Sequence, residues 1–389
     1  MRKGQKHGRV IVHDITLRDG EQQAGVVFRK DDKVKIAKKL DEAGVDRIEA
    51  GLPSVSPEDA KAIQEIVHLG LSAKIYAFSR CMKADVDNAL KLDVDGLIME
   101  IPGSDHLIRA GYGWNPAKAI DLSVEATSYA HSHGLKVTFF TIDSTRTPFR
   151  AFWKLVGTVA KEGHMDALAI ADTFGVINPE ATSYLVKKVL QVTRKPVEIH
   201  AHNDFGLAVA NTIAAVLAGA STVHVTVNGI GERSGNTSLE ETVMALRLLY
   251  GIETKVRLNK LRSLSLLVQE LSQVRMPPQK PIVGDAIFTF ESGIIAGWWR
   301  RVEKLGIPLE MYPFLPDLVG HDPVKMVLGK KSGKDSISYY AERKGITLDE
   351  PTVNELLTKV KEKAIQEKRA LRDSELMELI ETSKRGEAS

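Results

Sequence analysis

The feature that most constrains this chain is an alternation repeated from residue 10 to residue 251. Short β-branched runs take turns with longer stretches whose apolar residues recur at helical spacing. The runs cover residues 10–16, 47–51, 73–79, 96–102, 136–143, 166–173, 196–203 and 222–229. Amphipathic helices are expected between them, at 31–43, 57–69, 116–133, 148–162, 179–192 and 207–218. Several start on Pro or Asp and stop at Gly44, Gly70, Gly134 or Gly163, residues suited to opening and closing a helix. Eight strand-then-helix units in roughly 240 residues match a (β/α)8 TIM barrel in number and length. A doubly wound open sheet would carry a glycine-rich phosphate turn after its first strand. Here that turn reads Leu17-Arg18-Asp19-Gly20-Glu21-Gln22, charged rather than glycine-rich, and the barrel is preferred.

The pattern breaks after about residue 275. Pro277, Pro278 and Pro281 mark a linker, an irregular stretch rich in Gly, Trp and Pro follows, and residues 349–384 read as two charged helices. The expected division is a catalytic TIM barrel at 1–275, an accessory α/β or irregular subdomain at 276–345 and a C-terminal helical tail at 346–389. The last few residues are expected to be disordered.

Composition narrows the class. An apolar content of 43% with 26% charged residues describes a globular chain with ample core. The net charge of +3 makes no case for nucleic acid. Cys81 is the sole cysteine, so no internal disulfide forms and a reducing compartment is expected. The start, Met1 to His7, is basic but no apolar segment follows it, which argues against a secretory signal. The longest apolar stretches fall short of a membrane span. The reading is a cytoplasmic protein with neither nucleic acid nor membrane as partner.

The chemistry-bearing residues sit where strands end. In an α/β barrel the active site lies at the C-terminal ends of the strands. Asp19 follows the first strand, His200 and His202 close the seventh, and Asn236 lies in the loop after the eighth. Alternate strand residues point the same way, so the two imidazoles share a target. Strands 1, 7 and 8 adjoin in a closed barrel, which lets the four groups converge. One carboxylate, two imidazoles and an amide oxygen form a divalent-cation ligand set with about two positions open on a six-coordinate ion. A 2-oxo acid would fill those positions through its carboxylate and keto oxygens, and the ion would polarise the carbonyl. Arg18 would add a cation at the developing alkoxide. This donor set does not select among Mg²⁺, Mn²⁺, Zn²⁺ and Co²⁺.

These motifs resemble the metal-dependent barrel family of 2-isopropylmalate, homocitrate and citramalate synthases and hydroxymethylglutaryl-CoA lyase. The resemblance runs from about Val10 to Gly333. It rests on Thr16-Leu17-Arg18-Asp19-Gly20-Glu21-Gln22, Ile48-Glu49-Ala50-Gly51-Leu52-Pro53, His200-Ala201-His202-Asn203-Asp204-Phe205-Gly206 and Gly229-Ile230-Gly231-Glu232-Arg233-Ser234-Gly235-Asn236. The last is more similar to the synthases than to the lyase, whose loop carries a cysteine. Leu328-Gly329-Lys330-Lys331-Ser332-Gly333 is similar to the synthases' accessory motif. The resemblance implies Asp19, His200 and His202 as metal ligands, with Asn236 as a fourth. It implies Arg18 on the substrate keto oxygen, Gln22 and Thr173 near its carboxylate, Glu49 lining the same pocket, and Tyr312 over the active site. It also implies acyl-CoA and a small 2-oxo acid as substrates, and a homodimer exchanging accessory segments.

Two segments depart from the family pattern. The synthases' His-Glu-Ser-Gly-Ile-His segment reads Phe290-Glu291-Ser292-Gly293-Ile294-Ile295 here, and their Glu-Asp at the end of strand 5 reads Ile142-Asp143. The family's proton-abstracting histidine and its glutamate helper are thus both isoleucine. Isoleucine accepts no proton, so that mechanism does not carry over directly. His321 is a possible substitute base. Strand 5 also lacks the arginine with which homocitrate synthases would hold a second carboxylate, which favours a small or apolar 2-oxo acid over 2-oxoglutarate. The run Gly297-Trp298-Trp299-Arg300-Arg301 suits either a clamp on a bulky anion such as acyl-CoA or a subunit contact. Only some fifty residues follow Gly333, so the leucine-responsive regulatory domain of some synthases is not expected. The expected activity is a metal-dependent Claisen-type condensation of acetyl-CoA with a 2-oxo acid. The alternatives are a retro-aldol or retro-Claisen lyase, motivated by the two isoleucines, and a metal-binding subunit without catalysis.

Overall fold

The computed structural model describes residues 8–386. The expectation for the basic start, and that for the very end at 387–389, fall outside those residues. The chain divides into two compact units, Met1–Met276 and Pro277–Ser389.

The first unit is a closed barrel of eight parallel strands: β1 (Ile11–Asp14), β2 (Arg47–Glu49), β3 (Lys74–Arg80), β4 (Gly96–Pro102), β5 (Lys136–Ile142), β6 (Ala167–Asp172), β7 (Val197–Ala201) and β8 (Thr222–Val225). Closure is made by β1, which pairs with β2 on one side and with β8 from Ile11↔Thr222 to Asp14↔Val225 on the other. Among the described residues of this unit, nine α-helices follow the strands. They are α1 (Lys30–Ala43), α2 (Pro57–His68), α3 (Lys83–Leu90), α4 (Pro116–Ser132), α5 (Phe149–Glu162), α6 (Pro179–Thr193), α7 (Ala208–Ala218), α8 (Leu239–Tyr250) and α9 (Leu261–Ser272).

Local chemistry sets these boundaries. α2, α4 and α6 open on Ser56, Asn115 and Asn178, each accepting from the N–H three residues on, with proline at the first helical position. α1 stops at Gly44, whose φ of +85° suits glycine. Each helix turns an apolar stripe inward, so Ile36, Leu40, Ile63 and Ile66 are fully buried. Burial of each such side chain stabilises the unit by about 1.5–3 kcal/mol.

The barrel interior has an aromatic side and a polar side. Tyr76, Phe78, Ile98, Phe140, Ala169 and Ala171 pack together. Opposite stand His13, Glu49, Glu198 and His224, all buried. His13 Nε2 lies 3.0 Å from Glu49, His224 Nε2 lies 2.8 Å from Glu198, and the two imidazoles stack at 4.6 Å. Partnering by the imidazoles is part of what makes burying the Glu49 and Glu198 carboxylates tolerable.

The second unit holds a two-residue parallel pair, β9 (Thr289–Phe290) with β10 (Lys325–Met326). It also holds α10 (Gly293–Leu305), α11 (Lys334–Arg343), α12 (Glu350–Glu367) and α13 (Asp373–Gly386). One core joins Leu328, Ile337, Tyr340, Val353, Leu356, Val360 and Ile380, so residues on both sides of position 345 share it. The stretch read as irregular contains α10. Trp299 there is buried and donates from Nε1 to the Tyr339 hydroxyl, while Arg300 pairs with Glu342. Two of the four side chains read as either an anion clamp or a subunit contact are therefore engaged within their own unit. No helix among the described residues is long and apolar enough to cross a membrane.

Candidate active site

The chain turns at once on leaving β1. The Ile15 carbonyl accepts from the N–H groups of Arg18, Asp19 and Gly20 at 3.2, 2.9 and 3.1 Å, which curls Arg18 and Asp19 back over the barrel mouth. The Thr16 hydroxyl accepts from the Val227 N–H at 2.9 Å and ties this turn to the loop beyond β8. That loop doubles back along the end of β7. Asn203 N–H donates to Gly235, Asn236 N–H to Gly229, and Thr237 N–H to Ala201. His202 and Asn236 thereby face each other in an isolated antiparallel bridge. Gly231 makes the close approach possible: its φ is +148°, and a Cβ there would run into the Asn236 amide.

Asp19, His200 and His202 converge as a result. Their ligand atoms all lie within 4.8 Å of one another, and all three residues are buried. His200 Nε2 is 3.2 Å from His202 Nε2 and 3.7 Å from Asp19 Oδ2. Asn236 reaches the same carboxylate, its Nδ2 donating to Asp19 Oδ1 at 2.7 Å and leaving its own Oδ1 without a partner.

The electrostatics suit a cation. Burial alone would raise the Asp19 carboxyl, but Arg18, then His200 and His202, outweigh it and hold it well below the usual carboxylate range. Burial lowers both imidazoles, His200 strongly, so both are neutral at neutral pH with nitrogen lone pairs available. Two nitrogens bound to one ion at about 2.1 Å and a right angle stand about 3 Å apart, close to the spacing found here. The residues fit a divalent ion.

Arg18 stands beside this cluster. Its Nη1 donates to Asp19 Oδ2 at 2.5 Å and to Gln22 Oε1 at 3.2 Å, its Nε donates to Glu49, and the guanidinium lies 3.9 Å over the Phe78 ring. Its Nη2 is buried with no partner. These groups open onto a cavity of about 560 Å³, lined among others by Arg18, Asp19, Gln22, Thr173, His200 and His202.

Gln22 and Thr173 thus share the cavity with the cluster. The Thr173 hydroxyl accepts from the Asp143 N–H at 2.8 Å and keeps its own proton available. Glu49 does not line the cavity; it is fully buried behind Arg18 and between Arg18 and His13. Tyr312 lies in the second unit, with its ring 5.5 Å from Phe288 and 5.7 Å from Trp299. His321, in the same unit, has Nε2 3.0 Å from the Gly284 carbonyl. Ile142 lines the cavity.

Sequence reasoning passed over Phe78, Phe140 and Glu100, which also line this space. The signal for Glu100 was one charged residue inside an otherwise apolar strand.

Residues 9–268 match the HMGL-like family. The chain belongs to that family. HMGL-like relatives include the (R)-citramalate synthase CimA of Methanocaldococcus jannaschii, 41% identical over 91% of this chain and 70% of that protein. The homocitrate synthase AksA of the same organism is 40% identical over 96% of this chain and 90% of its own length. A probable 2-isopropylmalate synthase of Methanopyrus kandleri is 43% identical over 91% of this chain and 70% of its length. Among solved structures, the HMG-CoA lyase of Bacillus subtilis superposes with a TM-score of 0.62 at 21% identity, covering 69% of this chain and 95% of the lyase. That likeness speaks for the barrel fold.

Proposed function

We propose that this HMGL-like protein joins an acyl-CoA, in the first instance acetyl-CoA, to a small 2-oxo acid. The observation that carries the reading is the buried, unpartnered Arg18 Nη2 beside Asp19, His200 and His202 at one cavity. It is supported by relatives named as synthases of citramalate, homocitrate and isopropylmalate, 2-hydroxy di- and tricarboxylic acids that such a condensation forms.

Asp19, His200, His202 and the Asn236 amide oxygen would hold a divalent ion: Mg²⁺, Mn²⁺, Zn²⁺ or Co²⁺. When bound, it supplies Lewis acidity to a keto oxygen and carboxylate in the open positions. Arg18 donates from Nη2 to the keto oxygen, where negative charge grows as the carbon–carbon bond forms. Glu49 and Phe78 hold that guanidinium still, so no reorganisation is needed as charge develops. Gln22 and the Thr173 hydroxyl bind the substrate carboxylate. Leu52, Phe78, Phe140 and Ile142 give the rest of the wall a large apolar part, and Lys33 is paired with Glu21 and Asp59. Such a wall suits a small or apolar side chain over a second carboxylate.

The active form is a homodimer in this reading, for which the exposed Ile294, Trp298, Leu305 and Leu309 of the second unit supply apolar surface. A monomeric mass in solution would overturn that part.

The test is thiol release from acetyl-CoA and longer acyl-CoAs with Mg²⁺ or Mn²⁺ against pyruvate, 2-oxoisovalerate, oxaloacetate, glyoxylate and 2-oxoglutarate. Release dependent on one oxo acid supports condensation. A blank panel, with hydroxy acids or their CoA esters cleaved instead, would replace it with a lyase.

A further inference from the structure

The cavity holds a carboxyl group that the reading above leaves without a task. Glu100 sits in β4 in register with Arg80 of β3 and Phe140 of β5. Its neighbours Met99 and Ile101 are buried, whereas Glu100 is half-buried and lines the cavity with Arg18, Phe78, Phe140 and Ile142. Other carboxylates around the mouth are engaged: Asp19 with Arg18, Glu49 with Arg18 and His13, Asp143 with Arg146, Asp204 with Arg233. Among the described residues, the Glu100 carboxyl makes neither a hydrogen bond nor an ion pair; charges act on it only from a distance.

Those surroundings tune it. Burial pushes the Glu100 carboxyl up to about 7, against the pull of Arg18 from the β1 loop and Arg80 from β3 and with the push of Asp85 and Glu49. Tyr112 faces it as a neutral phenol, and β5 presents only Phe140 and Ile142. A carboxyl that is half-ionised near neutral pH, set beside Phe78, Phe140 and Ile142 in the same cavity as Arg18, is what proton abstraction from carbon calls for.

We infer that Glu100 is the general base that takes the proton from the acyl-CoA carbon α to the thioester. The inference rests on the condensation reading and fills the role for which Ile142 and Ile295 have no basic atom. The α C–H bond breaks, its proton goes to a Glu100 carboxylate oxygen, and its electron pair forms the new bond to the keto carbon. The keto π pair moves onto oxygen as an alkoxide beside Arg18. Handing the same proton to that alkoxide, directly or through water, returns Glu100 to carboxylate. Water then adds hydroxyl to the thioester carbonyl and a proton to the departing sulfur, giving a 2-hydroxy diacid and free CoA thiol.

The experiment compares wild type, Glu100→Gln and Glu100→Asp with the oxo acid that wild type accepts. It reads kcat, KM and the pH profile of kcat, with Mn²⁺ binding as the check on an intact site. The wild-type profile should rise through an acid limb with its midpoint near pH 7. Glu100→Gln should lose about 100-fold or more in kcat and lose that limb, with Mn²⁺ binding and oxo-acid KM changed by less than about threefold. Glu100→Asp should keep the limb at reduced kcat. The assignment is overturned if Glu100→Gln keeps kcat within about threefold, keeps the acid limb, or changes only KM for the oxo acid. Wild type silent with every oxo acid would sink the condensation reading together with this role, whereas an active wild type with an indifferent Glu100→Gln sinks the role alone.

Discussion

Replacing Glu49 with alanine tests how the site is held together. The Glu49 carboxylate is fully buried, and Arg18 is 8% exposed. Burial would raise that carboxyl, but the Arg18 charge, then the His13 hydrogen bond, hold it below its ordinary range, so it is ionised. Glu49→Ala leaves the guanidinium with Asp19 as its one remaining carboxylate and takes away the partner of His13 Nε2. Breaking a buried ion pair by removing one member costs about 3–5 kcal/mol. An orphaned buried donor costs about 1–3 kcal/mol by itself, but the two losses overlap and do not add, so about 4 kcal/mol is expected. At roughly 2–4 °C per kcal/mol for a unit of this size, Tm should fall by about 8–16 °C. Differential scanning calorimetry of the metal-free protein measures it directly. Glu49→Gln keeps an acceptor for Arg18 Nε and should fall between. Arg18→Met combined with Glu49→Leu removes both charges and should be less destabilised than the sum of the single changes by about 1–3 kcal/mol. A Glu49→Ala protein melting within 2 °C of wild type ( makes that about 1 kcal/mol or less) would refute the idea that this pair organises the site.

Three further outcomes are expected. Asp19→Asn and His202→Ala should each weaken Mn²⁺ binding, followed by electron paramagnetic resonance, by more than about 100-fold, beyond what loss of a ligand's supporting partner costs; unchanged binding would remove the cation from this cluster. Gly231→Ala, forced from a φ of +148° and pushed into the Asn236 amide, should lose activity while the barrel stays folded by circular dichroism, and full activity would show the loop to be tolerant. His13 is lowered to about 4, first by burial and then by His224. Between pH 6.5 and 4 the unfolded chain therefore binds a proton that the folded one does not, and stability from this group is present above 6.5 and drains away as pH falls. The total is roughly 3 kcal/mol, and a His13→Gln variant whose Tm falls as steeply as wild type over that window would contradict it.

Much of this architecture was legible in the residues. All eight strands occupy the runs marked by β-branched residues, because strands buried on both faces are near-continuously apolar apart from the polar groups that face the site and the barrel interior. Their ends are shorter than expected where backbone turns intervene: β8 stops at Val225 because Asn228 adopts a left-handed φ of 64°. α3 escaped notice because two turns carry too few apolar residues to show a period. α10 was hidden by Gly293 and Gly297, which read as loop yet serve close approaches, Gly293 to the Gly333 backbone and Gly297 to Asp335. Arg18, Asp19, His200, His202 and Asn236 stood out because their residue types are rare at strand ends without a chemical reason. The His13–Glu49 and His224–Glu198 pairs did not, since what they do depends on the inter-strand register, which no local pattern records; Glu100 showed only as a lone charge in an apolar strand, and its neighbours likewise follow from the register.

The most direct test of the central claim follows acetyl-CoA labelled with ¹³C at the acetyl methyl by NMR in the presence of metal and the accepted oxo acid. The account predicts that the labelled carbon moves into a methylene bonded to a quaternary or tertiary carbinol carbon, and that chelation of the metal stops the transfer. Label appearing only in free acetate, or remaining in acetyl-CoA with every oxo acid while the metal is bound, would contradict it.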